Sequence, residues 1–232
     1  MSMKISNNER LIVALDVPTA SEAKALVEVL ADSVVFYKIG LELFMSGEYF
    51  ELLDYLNSLN KKIFVDLKFF DVPATVGRAV AQLNGKGVTF ATIHGNDSIM
   101  RAAATNKGDV KILAVTVLTS LDRGDLDDLG FDCDVNDLVV SRAKRAVEIG
   151  CDGVVASGQE ASTMRAKLGD SFMVITPGIR PIDNDDDQKR VVTATQAFEN
   201  GADYIVVGRP IRDAENPKEA ALALQAEIDA VF

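Results

Sequence analysis

The chain is poor in the residues that many functional classes require. Its 232 residues hold one histidine, two cysteines and no tryptophan. A single imidazole, His94, excludes a catalytic triad or a metal centre built on two histidines. Cys133 and Cys151 alone exclude a disulfide scaffold and a cysteine-rich zinc site. Apolar runs reach only about five to seven residues, far short of the ~18 that a membrane span needs. The first ten residues, MSMKISNNER, have no apolar core and predict no signal peptide. Basic residues are also few, 24 Lys and Arg against 35 Asp and Glu, for a formal net charge of −11. Nucleic acids and anionic membranes need clustered Lys and Arg, so neither is an expected partner. The expectation is a cytoplasmic globular protein.

What is present is ordinary globular composition, 48% apolar and 25% charged, with no repeat, low-complexity tract or Pro/Ser-rich linker. Short β-branched runs recur at 11–15, 34–39, 62–67, 88–93, 110–117, 153–156, 172–176 and 204–207, bounded by Gly, Pro, Asp or Asn. Helical spacing fills the intervals. Thr19 and Glu22 fit a capping box before a helix over 23–31. Asn136 reads as the cap of a helix through Ile149, with Gly150 just past its end, and Asn216-Pro217 as the opening of the last helix. Further helices are expected at 48–59, 75–86, 97–107, 159–168 and 193–200. Eight strand–helix units predict one (β/α)8 barrel domain over 1–232. A doubly wound open sheet shows the same alternation, but the count of eight and the lack of an early GxGxxG favour the barrel. Two connections exceed what a barrel requires, 120–135 and 179–190. The second, with Asp183, Asp185, Asp186 and Asp187, is expected to be a solvated lid over the site.

Strand side chains alternate with period two. Ile12, Ala14 and Asp16 therefore share a face, as do Phe36 and Lys38, and Phe64, Asp66 and Lys68. Each of the first three strands thus finishes on charge in phase with its own apolar residues, and at a barrel's C-terminal mouth those charges converge. Asp71 follows just before the turn at Val72-Pro73. An ammonium among carboxylates keeps its proton at neutral pH, which suits it to meet developing negative charge and then donate that proton. Thr176-Pro177-Gly178-Ile179-Arg180 and Val207-Gly208-Arg209-Pro210 end the last two strands, the recurrent phosphate position of this fold. Glycine admits an anion to the backbone N–H groups and arginine supplies forked donors.

Asp66-Leu67-Lys68-Phe69-Phe70-Asp71-Val72-Pro73-Ala74-Thr75 resembles the DLKxHDIPNT signature of the orotidine 5′-monophosphate decarboxylases. The resemblance runs along the chain through Ala14-Leu15-Asp16, Lys38-Ile39-Gly40, Val117-Leu118-Thr119-Ser120, Asp152-Gly153-Val154-Val155, Thr176 to Pro181, Asp187 to Arg190 and Gly208-Arg209-Pro210. It implies a homodimeric barrel that converts orotidine 5′-monophosphate to uridine 5′-monophosphate and CO2, the last step of de novo UMP synthesis. It implies no metal and no cofactor. Lys38, Asp66, Lys68 and Asp71 match the charged tetrad, with Lys68 the proton donor to C6. Asp71 and Thr75 match residues contributed across the dimer. Asp16 and Lys38 match ribose-binding positions, and Thr119 and Ser120 the segment beside the pyrimidine. Arg180, Gln188, Gly208 and Arg209 match positions closing over base and phosphate. Phe70 and Ala74 stand where the family often has His and Asn. His94 reads as a structural side chain near the mouth. A keto-sugar phosphate decarboxylase or hexulose-phosphate synthase shares Asp-x-Lys-x-x-Asp but holds Mg2+ partly through a Glu at the end of strand two, where this sequence has Lys38. A nucleotide-phosphate-binding regulator without catalysis is the other alternative, and the intact tetrad argues against it.

Overall fold

The computed structural model describes residues 5–180 and 191–232. Eight parallel strands pair in chain order and close on themselves: β1 (Leu11–Ala14), β2 (Phe36–Gly40), β3 (Lys62–Phe69), β4 (Val88–His94), β5 (Lys111–Val115), β6 (Gly153–Val155), β7 (Met173–Thr176) and β8 (Tyr204–Val207). The helices around them are α1 (Ala20–Leu30), α2 (Leu41–Met45), α3 (Tyr49–Ser58), α4 (Pro73–Ala81), α5 (Asp97–Asn106), α6 (Arg123–Asp128), α7 (Val135–Ile149), α8 (Ala161–Leu168), α9 (Ala194–Glu199), α10 (Arg209–Arg212) and α11 (Pro217–Val231). The expected barrel is therefore the fold. No helix among the described residues is long and apolar enough to cross a membrane.

The strands read as near-continuous apolar runs because both of their faces are covered. One set, including Leu11, Val13, Tyr37, Ile39, Ile63, Val65, Ile205 and Val207, packs under the helices. The alternate set, Ile12, Ala14, Phe36, Phe64, Phe90, Leu113, Met173, Ile175, Tyr204 and Val206, fills the barrel interior. Phe90 is the hub of that interior: its ring centroid lies 5.1 Å from Phe36, 5.9 Å from Phe64 and 5.2 Å from Tyr204. Space on the β6 side is tight, since a Cβ at Gly153 would come within 2.5 Å of the Met173 carbonyl oxygen.

The closed end of the barrel is pinned twice by the same device. Asp152, just before β6, accepts the Ile112 N–H of β5 at 2.8 Å and pairs with Lys107 at 2.7 Å. Asp203, just before β8, accepts the Val174 N–H of β7 at 2.9 Å and pairs with Arg165 at 2.6 Å. Each carboxylate thus ties together two neighbouring strands and is neutralised by a cation, Lys107 at the C-cap of α5 and Arg165 within α8.

Several local expectations shift. Thr19 does cap α1, accepting the Glu22 N–H at 3.2 Å, but the helix starts at Ala20. The N-cap of α7 is Asp134, and Asn136 falls inside its first turn. Pro73 takes the N1 position of α4, for which its fixed φ is suited, so that helix opens two residues before Thr75 and ends at Ala81. The connection at 120–135 contains α6, closed by a capping box of Asp122 with Asp125. Asn216 caps α11, accepting the Glu219 N–H at 3.3 Å, and Thr193 caps α9 in a box with Gln196.

Truncating Phe90 to alanine removes three ring contacts from a closed interior. Phe90→Ala is expected to lower the unfolding free energy by about 3–5 kcal/mol, read as a fall in the urea midpoint with little change in the denaturant slope.

Candidate active site

The site begins with an irregularity in β3. Val65 pairs with Ala91 of β4, and the next paired residue, Phe69, faces Ile93. Asp66, Leu67 and Lys68 therefore all lie opposite the single residue Thr92. A bulge at a barrel rim re-aims side chains, and here it carries Lys68 into left-handed backbone, φ +47°. The Lys68 N–H, released from the ladder, donates to the Thr92 hydroxyl at 2.9 Å, and that hydroxyl donates to Asp66 Oδ1 at 2.8 Å. Asp66 and Lys68 meet as the alternation suggests, with Lys68 Nζ 2.9 Å from Asp66 Oδ2, but a bulge rather than plain pleating brings them together.

From Asp66 the charges run across the mouth. Lys38 Nζ on β2 lies 3.6 Å from Asp66 Oδ2 and 2.8 Å from Asp16 Oδ1, at the end of β1. Cation and anion alternate in the order Asp16, Lys38, Asp66, Lys68. Lys38, Asp66 and Thr92 are buried. Burial alone would push the Asp66 carboxyl up; Lys38 and Lys68, with the hydrogen bonds from Lys68 and Thr92, outweigh it and hold the group below the usual carboxylate range. Burial likewise works against the Lys38 ammonium, and Asp66 and Asp16 outweigh it, so its pKa is raised. Among the described residues no three His, Cys, Asp or Glu side chains form a group that could hold a metal ion.

The charged row forms one wall of an open cavity of about 530 Å3. Leu118, Thr119 and Ser120 line it from the segment after β5; Pro177, Gly178 and Arg180 from the end of β7; Gly208, Arg209 and Arg212 from the end of β8. The cavity thus has a charged wall at one side and two strand ends bearing glycine and arginine at the other. Ile179 and Val192 form a short parallel bridge, and the Arg180 N–H donates to the Val192 carbonyl at 3.0 Å. Gln188 and the expected lid, from residue 181 on, lie outside the described residues.

Asp71 and Thr75 do not join the row within one chain. Asp71 is exposed and its Oδ1 accepts the adjacent Val72 N–H at 2.6 Å, while Thr75 accepts from Arg78 at 3.4 Å on the first turn of α4. Phe70 and Val72, on either side of Asp71, are 66% and 62% exposed. Phe70 stacks at 4.6 Å on the His94 ring. Burial, then Arg142 and Lys68, lower the His94 pKa, which favours the neutral imidazole.

Comparison with known proteins gives this arrangement a lineage. A profile described as Orotidine 5'-phosphate decarboxylase / HUMPS family matches residues 9–224. An orotidine 5'-phosphate decarboxylase of Methylococcus capsulatus is 66% identical over 226 residues, covering 97% of this chain and 93% of that protein. The chain belongs to the orotidine 5'-phosphate decarboxylase / HUMPS family. One from Xanthomonas campestris is 53% identical over 231 residues, covering 98% and 95%. Among solved structures, an orotidine 5'-phosphate decarboxylase from Lactobacillus acidophilus superposes with a TM-score of 0.84 at 34% identity, over 95% of this chain and 99% of that one.

Lys38 places its ammonium between the carboxylates of Asp16 and Asp66, so a divalent ion at that point would meet a positive charge already paired with both anions. Sequence reasoning missed two residues of the site. Thr92 is one; its signal was a hydroxyl in phase with the inward-facing Phe90. Arg212 is the other: it lines the cavity, donates to the Asp16 carbonyl at 2.5 Å and binds both oxygens of Asp213 at 2.6 and 2.8 Å. It lies three residues past Arg209, on the same face of a single helical turn.

Removing the shared anion leaves two facing ammonium groups. Asp66→Asn is expected to destabilise the fold at pH 7 by about 3–5 kcal/mol. Because the folded-state pKa of Asp66 is depressed, the gap to the wild type is complete above the unfolded value of about 3.9. It closes as the pH falls from there through the folded value, which urea titrations across pH measure.

Proposed function

We propose that the chain decarboxylates orotidine 5′-monophosphate to uridine 5′-monophosphate with Lys68 as the group that meets the reacting carbon. The reaction breaks the bond between C6 and the carboxylate, CO2 departs, and the electron pair stays on C6 in the plane of the ring, where no carbonyl can delocalise it. Stabilisation must come from the site. Lys68 supplies a positive charge where that pair develops and passes a proton from Nζ to C6. The amine regains its proton from solvent once the product has left. The observation that carries this reading is the 2.9 Å contact of Lys68 Nζ with an Asp66 carboxylate whose other oxygen is held by Thr92. The cation is thereby aimed before substrate arrives, with no reorganisation left for the reaction itself.

The remaining roles are those that the family resemblance implies. Asp16 and Lys38 face the ribose, and Thr119 and Ser120 the pyrimidine. Arg180, Gly208 and Arg209 receive the phosphate, whose binding energy is available to organise the site although it lies far from the breaking bond. Gln188 and the closing loop at 179–190 belong to the same assignment. Asp71 completes the tetrad from a neighbouring subunit, with Thr75 beside it. Support comes from its exposure, from its carboxylate accepting the adjacent Val72 N–H, and from the apolar Phe70 and Val72 that flank it, a pairing suited to an interface. A homodimer working in the cytoplasm on a small nucleotide, without metal or cofactor, is the whole of the assignment.

Lys68→Ala is expected to lower kcat by at least about 10³-fold while the circular dichroism spectrum is unchanged, in an absorbance assay on orotidine 5′-monophosphate. Retention of a tenth of the turnover would remove Lys68 from this role, whereas absence of turnover in the wild type would favour a nucleotide-binding protein without catalysis. Sharing of sites is tested by mixing inactive Lys68→Ala and Asp71→Ala proteins. Random reassortment of dimers is expected to restore roughly a quarter of the wild-type activity, since half the dimers then hold one intact site of two. No recovery, with heterodimers shown by mass spectrometry, would place Asp71 outside the partner's site.

A further inference from the structure

Thr92 is completely buried, and its hydroxyl touches both members of the pair assigned to the chemistry. A hydroxyl has one proton to give and lone pairs to receive. Here the proton goes to Asp66 Oδ1 at 2.8 Å, and a lone pair takes the Lys68 N–H at 2.9 Å. The direction cannot reverse, because an ionised carboxylate only accepts and a backbone N–H only donates. One atom thus sets the rotation of the Asp66 carboxylate, and through it the seat of Lys68 Nζ. It also holds the Lys68 backbone in the left-handed conformation, φ +47°, a region that side-chain-bearing residues seldom adopt.

We propose that Thr92 is a positioning residue for the decarboxylation, holding the Lys68 ammonium over the reacting carbon from two directions at once. The inference rests on the reading of Lys68 given above. Without the hydroxyl, the Lys68 N–H in the bulge has no ladder partner to fall back on, since the pairing of β3 with β4 skips from Val65 to Phe69. The carboxylate would then keep Lys38 and Lys68 but lose the contact that fixes its plane. Thr92 does not line the cavity, so its loss takes nothing directly from ribose, base or phosphate.

Thr92→Val keeps the branched shape and deletes the two hydrogen bonds, while Thr92→Ser keeps the hydroxyl and deletes a methyl. With orotidine 5′-monophosphate as substrate, Thr92→Val is expected to lower kcat about 10- to 100-fold with KM within about threefold of wild type. Thr92→Ser is expected to return kcat to within about threefold of wild type. Assays run well below the unfolding temperature of each variant, so lost stability alone moves neither constant. A Thr92→Val enzyme with wild-type kcat overturns the proposal, as does a Thr92→Ser enzyme as impaired as Thr92→Val. Should Thr92→Val not fold, Thr92→Ala carries the same expectation and the same refutation. Wild-type turnover in the same assay tests the underlying reading separately: its absence would remove the role of Lys68, whereas normal turnover in Thr92→Val would remove only that of Thr92.

Discussion

One carboxylate organises this protein's chemistry. Asp66 stands between two lysines at 2.9 and 3.6 Å and is held by a buried hydroxyl at 2.8 Å. Either lysine alone would be a cation seeking an anion. Together with Asp66 and Asp16 they form an alternating row in which each charge is oriented by its neighbours. Burying charge is costly, and such clusters add little stability relative to an apolar core of the same volume. What the row provides is direction: Lys68 is neither free to swing into solvent nor quenched by a private partner, because Asp66 is shared.

The fold separates the parts that hold from the parts that act. The closed end is fastened by Asp152 and Asp203, each joining two strands and a helix. Above that end, the rings of Phe36, Phe64, Phe90 and Tyr204 fill the interior. The charged row then sits on this floor, one step further along the same inward-facing positions of β1, β2 and β3. A left-handed lysine and a bulge are tolerable at the rim because neither disturbs the packed layer below. Strain concentrated at a functional edge and over-determined by its surroundings is the expected pattern.

The alternation of apolar and polar residues made much of this legible before any coordinates. Period two placed Asp16, Lys38 and Asp66 on the inner face, and eight β-branched runs in register with helical intervals indicated the barrel. Lys68 was placed on the right face for an incomplete reason. Plain pleating puts residues two apart on one side, but between Val65 and Phe69 the ladder skips, and nothing in the residue types announces a bulge. Thr92 escaped notice because threonine is an ordinary strand residue, and its importance comes from what β3 does beside it. Asn136 was mistaken for a cap because two plausible capping residues, Asp134 and Asn136, lie within one turn, and the backbone turns at the first. The short helix α2 carries no capping side-chain bond, which left no local signal for it.

The separation of Asp71 from the row has a physical logic if, as proposed, subunits share their sites. A third carboxylate beside Asp66 in a lone chain would place like charges close together in a partly buried site, raising the cost of ionising both. Held on the turn before α4, its Oδ1 on the Val72 N–H, Asp71 is solvated until a second surface covers it. Phe70 and Val72 supply apolar area for that covering, and their burial offsets the expense of bringing the carboxylate to the lysines. Under the proposed sharing of sites, the electrostatic cost would arise only where association supplies the compensation, and a single chain would hold the row without its fourth member.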